Sequence, residues 1–262
     1  MPELTMYQVD AFTSELFRGN PAAVLVLEDW LPVATMQNIA SENNLAETAF
    51  VRPNGCGFDL RWFTPVHEVE FCGHATLATS HVLVHELGSK GQLVFETRIG
   101  TLRVDPKETG YQLDFPSFPP ETVADIPAPL KTNFGNGPIR AFRNFENMFV
   151  ELANEQAVVD FIPDLAEIVK LQGQGLVVTA KGDEHDFVSR YFAPFAGIPE
   201  DPVTGSTHAT LVPYWAEKLG KTKLSAFQRS SRGGHLLCEL KGDRVLLTGS
   251  AVTFMKAQIY LP

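Results

Sequence analysis

The chain is short of cysteine, of basic charge and of long apolar runs, and each shortage closes off a class of protein. Its three cysteines, Cys56, Cys72 and Cys238, are odd in number and far apart, which argues against a disulfide framework and against the close pairs of a structural zinc site. A reducing cytoplasm fits that usage. No apolar segment approaches the roughly 20 residues needed to cross a bilayer. The opening "MPELTMYQVDAF" has acidic and polar residues where a secretory leader shows a basic stretch and an apolar run. A soluble protein without a membrane partner is expected. Lys and Arg number 21 against 31 Asp and Glu, a formal charge of −10, so nucleic acid is not an expected partner, since phosphate neutralisation needs clustered cations. The "GQG" at 173–175 lacks a later glycine to complete a dinucleotide fingerprint, and no G-x-x-x-x-G-K-[ST] occurs. No cofactor is expected.

What remains is a chain of 262 residues, 44% of them hydrophobic, long enough for one large domain or two ordinary ones. Alternating segments with turn residues between them predict many short strands: "LTMYQVDAF", "AAVLVL", "ETAFVRP", "FDLRWFTP", "QLVFETR", "TLRVDP" and "YQLDFP" in the first 120 residues. Further strands are expected near 148–152, 175–180, 186–193, 235–240 and 244–259. Helices are expected at about 32–43, with Pro32 near the first turn, at 73–88, ending on Gly88, and near 205–220.

The two sets repeat one another. Arg61-Trp62-Phe63-Thr64-Pro65 returns as Arg190-Tyr191-Phe192-Ala193-Pro194, and each strand leads through a turn to a glycine and then a helix. Laying Gly73 on Gly205 also lays Leu87 on Leu219 and Gly88 on Gly220, which gives the two helices equal lengths and the same C-terminal stop. The reading is α+β: two similar halves, each a sheet wrapped around its helix. Their boundary is placed in the Pro-rich stretch "FPSFPPETVADIPAP", giving residues 1–117 and 118–262, with the last strands free to return to the first half.

A pseudo-twofold relation between the halves would let the helix starts at Gly73 and Gly205 face a common cleft, where unpaired N–H groups favour a small carboxylate-bearing substrate. Glycine lets the backbone approach closely; ordinary caps, with Ser206 among them, would explain the same residues. Asp201, in "EDPVTGST", reads as a cap, a turn former before Pro202 or a proton carrier, the turn being the favoured reading of the residues alone. Glu47, in "NNLAETAFV", is either an exposed strand-start carboxylate or a buried one tuned for proton transfer.

"DAFTSELFRGNPAAV", "NLAETAFV", "RWFTP", "EFCGHATLA" and "EDPVTGST", in this order, resemble the PhzF-like family, named for the phenazine-biosynthesis isomerase, within the diaminopimelate-epimerase-like fold. The resemblance implies two similar halves, a possible homodimer and cofactor-free proton movement with a Glu as the main acid/base. Carried over by motif, that residue is Glu47, supported by His74, Asp201 and Ser206, with substrate bound around Gly73, Ala75, Gly205 and Thr207. Related epimerases of the fold use two opposed cysteines; here Cys72 holds the first position and Thr204 the second, and a hydroxyl is too weak an acid or base for that role. Cys72 is therefore expected to be a packing residue. The expected function is a cofactor-independent isomerase of a small carboxylated metabolite. An epimerase, or a binding protein that keeps the cleft without chemistry, are the alternatives.

Three local features point elsewhere. His81 and His85 have the spacing of helical metal ligands, but Val82 stands where H-E-x-x-H has its Glu and no third ligand is evident, so no metal is expected. Cys72 with His74 has the makings of a thiol nucleophile, without an identifiable oxyanion hole beyond the helix start. "QRSSRGG" at 228–234 reads as a loop whose Arg229 or Arg232 could meet a carboxylate.

Overall fold

A computed structural model describes residues 3–135, 140–171 and 175–261; Gly173 and Gln174 of "GQG" lie outside them. The chain divides into two compact units, residues 1–114 with 248–262, and residues 115–247.

In the first unit β1 (Glu3–Ala11) runs antiparallel to β2 (Asn20–Val26). Helix α1 (Val33–Asn43) then crosses to β3 (Glu47–Pro53), parallel to β2. Pro32 is the N-cap of α1, and Asn44, in the left-handed region at φ 50°, ends it. β4 (Phe58–Phe63) and the short β5 (Glu68–Val69) continue antiparallel, and β4 takes β6 (Leu93–Thr97) as a parallel neighbour. Between β5 and β6 lies α2 (Gly73–His81). β7 (Gly100–Lys107) and β8 (Gly110–Pro116) follow antiparallel.

The second unit repeats this order of pairings. It opens with β9 (Glu121–Thr122), α3 (Ala128–Phe134) and β10 (Arg140–Arg143), and β10 runs antiparallel to β11 (Asn147–Glu151). Two short helices, α4 (Glu155–Asp160) and α5 (Leu165–Ile168), lead to β12 (Gly175–Lys181), parallel to β11. β13 (Phe187–Ala193) and β14 (Ile198–Asp201) are antiparallel, and after α6 (His208–Leu219) β15 (Lys223–Gln228) pairs parallel with β13. β16 (Gly234–Lys241) and β17 (Arg244–Gly249) follow. The last strand, β18 (Ala251–Tyr260), pairs antiparallel with β1 in the first unit's sheet. The single strand expected at 244–259 is thus two strands, broken at Ser250.

Each unit turns a helix in on its sheet. All nine residues of α2 are buried, and it packs on β1, β2, β3, β7 and β18. A helix buried all round has no solvent for its hydroxyls, so Thr76, Thr79 and Ser80 donate back to the carbonyls of Cys72, Ala75 and Thr76 at 2.6–2.8 Å. In the second unit α6 packs on β15 and β16.

The helices depart from the expected bounds. After His81 the backbone widens into a π turn, Val82–Glu86, in which Leu87 N–H reaches the Val82 carbonyl. The α6 segment starts at His208, three residues after Gly205, because residues 205–208 form a tighter turn in which His208 N–H bonds the Gly205 carbonyl. Pro213 interrupts α6 at the position matching His81; the Ala209 carbonyl it leaves free takes the N–H of Phe118 at 2.9 Å. Both helices end as expected on left-handed glycines, Gly88 at φ 75° and Gly220 at φ 65°.

Candidate active site

In the first unit the parallel register opens β3 with Glu47 beside Ala22, so its side chain leaves the sheet at the edge where α2 begins. Cys72, with extended backbone at φ −150°, is the N-cap of α2, and His74 is its second residue. The first intrahelical bond runs from Thr76 N–H to the Cys72 carbonyl, which leaves the N–H groups of Gly73, His74 and Ala75 without helix partners. Asn20 comes from the start of β2, after a loop that holds two non-glycine residues at positive φ, Phe12 at 63° and Phe17 at 68°. Phe12 is wholly buried, its ring against Gly249, and a Cβ at Gly249 would come within 2.4 Å of that ring. The loop is thereby held in a conformation that bulky side chains disfavour.

These residues converge. His74 Nε2 lies 3.1 Å from Glu47 Oε2, and the two side chains are 6% and 13% exposed, which rules out the exposed strand-start reading of Glu47. On the other ring nitrogen, Nδ1, the Asn20 amide sits at 3.2 Å and Cys72 Sγ at 3.5 Å. An amide facing an imidazole serves both of its protonation states: its NH2 donates to the neutral ring, and turned over its oxygen accepts from the imidazolium. Burial alone would lower the His74 pKa, but the contacts with Cys72 and Glu47, through charge and hydrogen bonding, outweigh it and hold His74 above the ordinary imidazole range. Burial, reinforced by Glu47, pushes the Cys72 thiol up to about 11. Cys72 is therefore a neutral thiol near neutral pH. Cys72 is buried as expected of a packing residue, yet it also touches the imidazole.

In the second unit Asp201 ends β14, buried, and accepts a short hydrogen bond from Thr204 Oγ1. Gln228 clasps this turn: its Nε2 donates to the Asp201 carbonyl at 2.8 Å and to Thr204 Oγ1 at 3.2 Å, and its Oε1 accepts from Thr204 N–H at 2.9 Å. Gly205 and Thr207 are buried and Ser206 is half-buried. Thr207, not Ser206, is the N-cap of α6, with no side-chain capping bond. Arg229 is committed to Glu155, so the structure does not offer it as a free carboxylate receptor.

Sequence reasoning gave no role to Asn20, Gln228, Glu68 or Glu200. The two glutamates had a signal. Glu68 and Glu200 keep the offset of the paired glycines, and each holds the repeated arginine of its own half in a two-pronged bond, Arg61 at 2.7 and 2.8 Å and Arg190 at 2.7 and 3.0 Å. Asn20 stood inside the quoted "FRGNP" without a partner in view.

Two halves of repeated topology, with a carboxylate and an imidazole meeting at the start of one buried helix, define an epimerase-like fold. A hydroxyproline epimerase of Agrobacterium vitis shares that fold at 10% identity, with a TM-score of 0.65 over 98% of this chain and 92% of its own. The family model described as phenazine biosynthesis-like protein, PhzC-PhzF, matches residues 9–257. An isomerase of Pseudomonas aeruginosa, itself uncharacterised, is 46% identical over 99% of both chains. A solved PhzF-family protein of Enterococcus faecalis superposes with a TM-score of 0.95 at 47% identity, covering 99% of this chain and all of its own. The chain belongs to the PhzC/PhzF family and is an enzyme of the isomerase class. Among the described residues, no helix is long and apolar enough to cross a membrane.

Proposed function

We propose that the protein is a cofactor-independent isomerase that moves a proton on a small carboxylated metabolite, with Glu47 as the acid/base. The observation that carries this reading is the Glu47–His74 pair, 3.1 Å apart, at the start of a buried helix. Glu47 takes a proton from carbon and returns it at another carbon of the same substrate. His74 Nε2 lies 3.1 Å from Oε2, and an imidazolium at this distance can pass a proton to the carboxylate. The backbone at Gly73 and Ala75 is assigned to a substrate carboxylate, with the Ala75 N–H turned to the Cys72 sulfur until a ligand takes it. Asp201 and Ser206 are assigned to orienting the substrate, and the backbone at Gly205 and Thr207 to binding it.

The repeat itself speaks against a two-thiol epimerase. Glu47 opens β3 opposite Ala22 with Thr48 facing Phe63, and Gly175 opens β12 opposite Asn147 with Leu176 facing Phe192. The acid of the first half is thus answered by a residue with no side chain, Cys72 is answered by Thr204, and the Thr204 hydroxyl is engaged by Asp201. A single carboxylate–imidazole pair in the first half suits proton relocation, whereas a two-thiol inversion needs a thiol on each face.

Incubation of the protein with a panel of small carboxylates in D2O tests the reading. Deuterium should enter carbon in a Glu47-dependent way, with a product that is a positional isomer rather than an enantiomer. Tight binding of a physiological ligand with no exchange and no conversion would overturn it in favour of a passive binding protein.

A further inference from the structure

A second cluster of donor side chains lies at the far end of the same helix. His81 is buried at the last position of α2, and the π turn that follows changes which residues share its face. A turn closed from residue i to i+5 holds more than four residues, so positions four and five after His81 both return to it. Those positions are His85 and Glu86. The His81 and His85 rings stack, with centroids 4.9 Å apart and planes 17° apart. One donor atom from each of His81, His85 and Glu86 lies within 4.8 Å of the other two.

The surroundings are those of a ligand set. His81 Nδ1 lies 3.2 Å from Tyr111 Oη, an outer partner that fixes the ring's orientation. The Thr253 hydroxyl bridges two of the donors: it accepts from His81 Nε2–H at 3.1 Å and donates to Glu86 Oε1 at 2.6 Å, so a metal taken up here displaces this hydroxyl and moves the imidazole proton to Nδ1, where Tyr111 Oη receives it. His85 is exposed, which leaves the site open to solvent and leaves one ligand free to adjust. Bonds of about 2.1 Å in a tetrahedral shell put ligand atoms about 3.4 Å apart, so donors that lie within 4.8 Å of one another close by at most about 1.4 Å, within reach of a rotation of His85.

We propose that His81, His85 and Glu86 form a binding site for a divalent first-row transition metal of borderline softness, of which zinc is one. Two imidazoles and a carboxylate are the donor set that suits such ions over magnesium or calcium, which prefer all-oxygen shells. The site lies about 10 Å along the helix from His74, at 1.5 Å per residue, and is independent of the proton-transfer reading. Its effect is to tie the end of α2 to itself where the regular helix gives out.

The other donor cluster, Glu47, Cys72 and His74, has to be silenced in the test. Chelator-treated protein carrying Cys72→Ala is titrated with Zn²⁺, Co²⁺ and Ni²⁺ by calorimetry, and thermal unfolding is followed with and without metal. One equivalent should bind and raise the unfolding temperature. His85→Ala and Glu86→Gln should each weaken binding at least about tenfold and remove the thermal shift; both residues have exposed or half-exposed side chains, so the variants should remain folded. Bound Co²⁺ should show ligand-field bands that disappear in His85→Ala. Absence of binding up to millimolar metal, or binding and thermal shift unchanged in both variants, would overturn the proposal. Binding lost only on His74→Asn would do the same, placing the ion at the first cluster.

Discussion

At the scale of single residues, the chemistry divides between a carboxylate and a thiol that share one imidazole. Glu47→Gln keeps size and hydrogen bonding while removing the basic oxygen, so turnover should fall by about 10²- to 10⁴-fold with substrate binding largely kept. Rates of deuterium exchange and ligand affinity check this together. Cys72 is held as a neutral thiol, up at about 11, so Cys72→Ala should change turnover less than tenfold and cost only the packing of a small buried side chain. Loss of activity in a folded Cys72→Ala protein, with Glu47→Gln still active, would reverse the assignment. Glu47 was legible as an odd carboxylate among apolar neighbours, but its contact with His74 was not. That contact depends on the parallel register of β2 and β3 and on where α2 begins, and neither is encoded within a few residues of Glu47. Asn20 was invisible as a site residue for the same reason, because it reaches His74 across 54 positions of chain.

At the scale of elements, repetition was the readable signal and irregularity was not. Arg-aromatic-Phe-x-Pro and the paired glycines carried the twofold pattern because they mark strand ends and helix stops, where local chemistry rules. The short helices α3 to α5, of four to seven residues, fall below the window in which periodicity can be counted. The π turn and Pro213 occupy matching places in the two helices, and the sequence shows only the proline. Register decides a further case. Gly175 stands where the first half has Glu47, and a Cβ there would lie 2.3 Å from the Tyr191 ring and 2.7 Å from Asn147 Oδ1. Both obstacles are buried or partly buried on neighbouring strands, so Gly175→Ala should destabilise the second unit by about 1–3 kcal/mol, as overpacking does. Denaturant midpoints at unchanged m-value measure it. An unshifted midpoint would mean that Tyr191 gives way freely.

At the scale of the whole molecule, stability should carry a pH signature set by two buried histidines with opposite shifts. His208 is fully buried on the first turn of α6, where Nδ1–H donates to the Thr204 carbonyl at 2.8 Å and Nε2 has no hydrogen-bond partner among the described residues. Burial pushes its pKa down to about 4, with the Thr204 bond opposing only weakly. The folded protein therefore refuses a proton that the unfolded chain accepts at its ordinary value near 6.5. Between those two values the unfolded state binds more protons, so stability falls as pH falls from about 6.5 to 4, by about 3 kcal/mol from this group. His74 works in the other direction. Its pKa is raised in the fold, so its contribution is complete below the ordinary imidazole value and is lost as pH rises through the folded one. Unfolding free energies from denaturant titrations across pH 4 to 7 check the first effect, with His208→Gln, which keeps a donor for the Thr204 carbonyl, as the comparison. The variant should show a shallower loss toward pH 4 than the parent. Parallel profiles for the two proteins would mean that His208 takes up its proton without unfolding, and that the acid sensitivity of this strongly anionic chain belongs to its carboxylates.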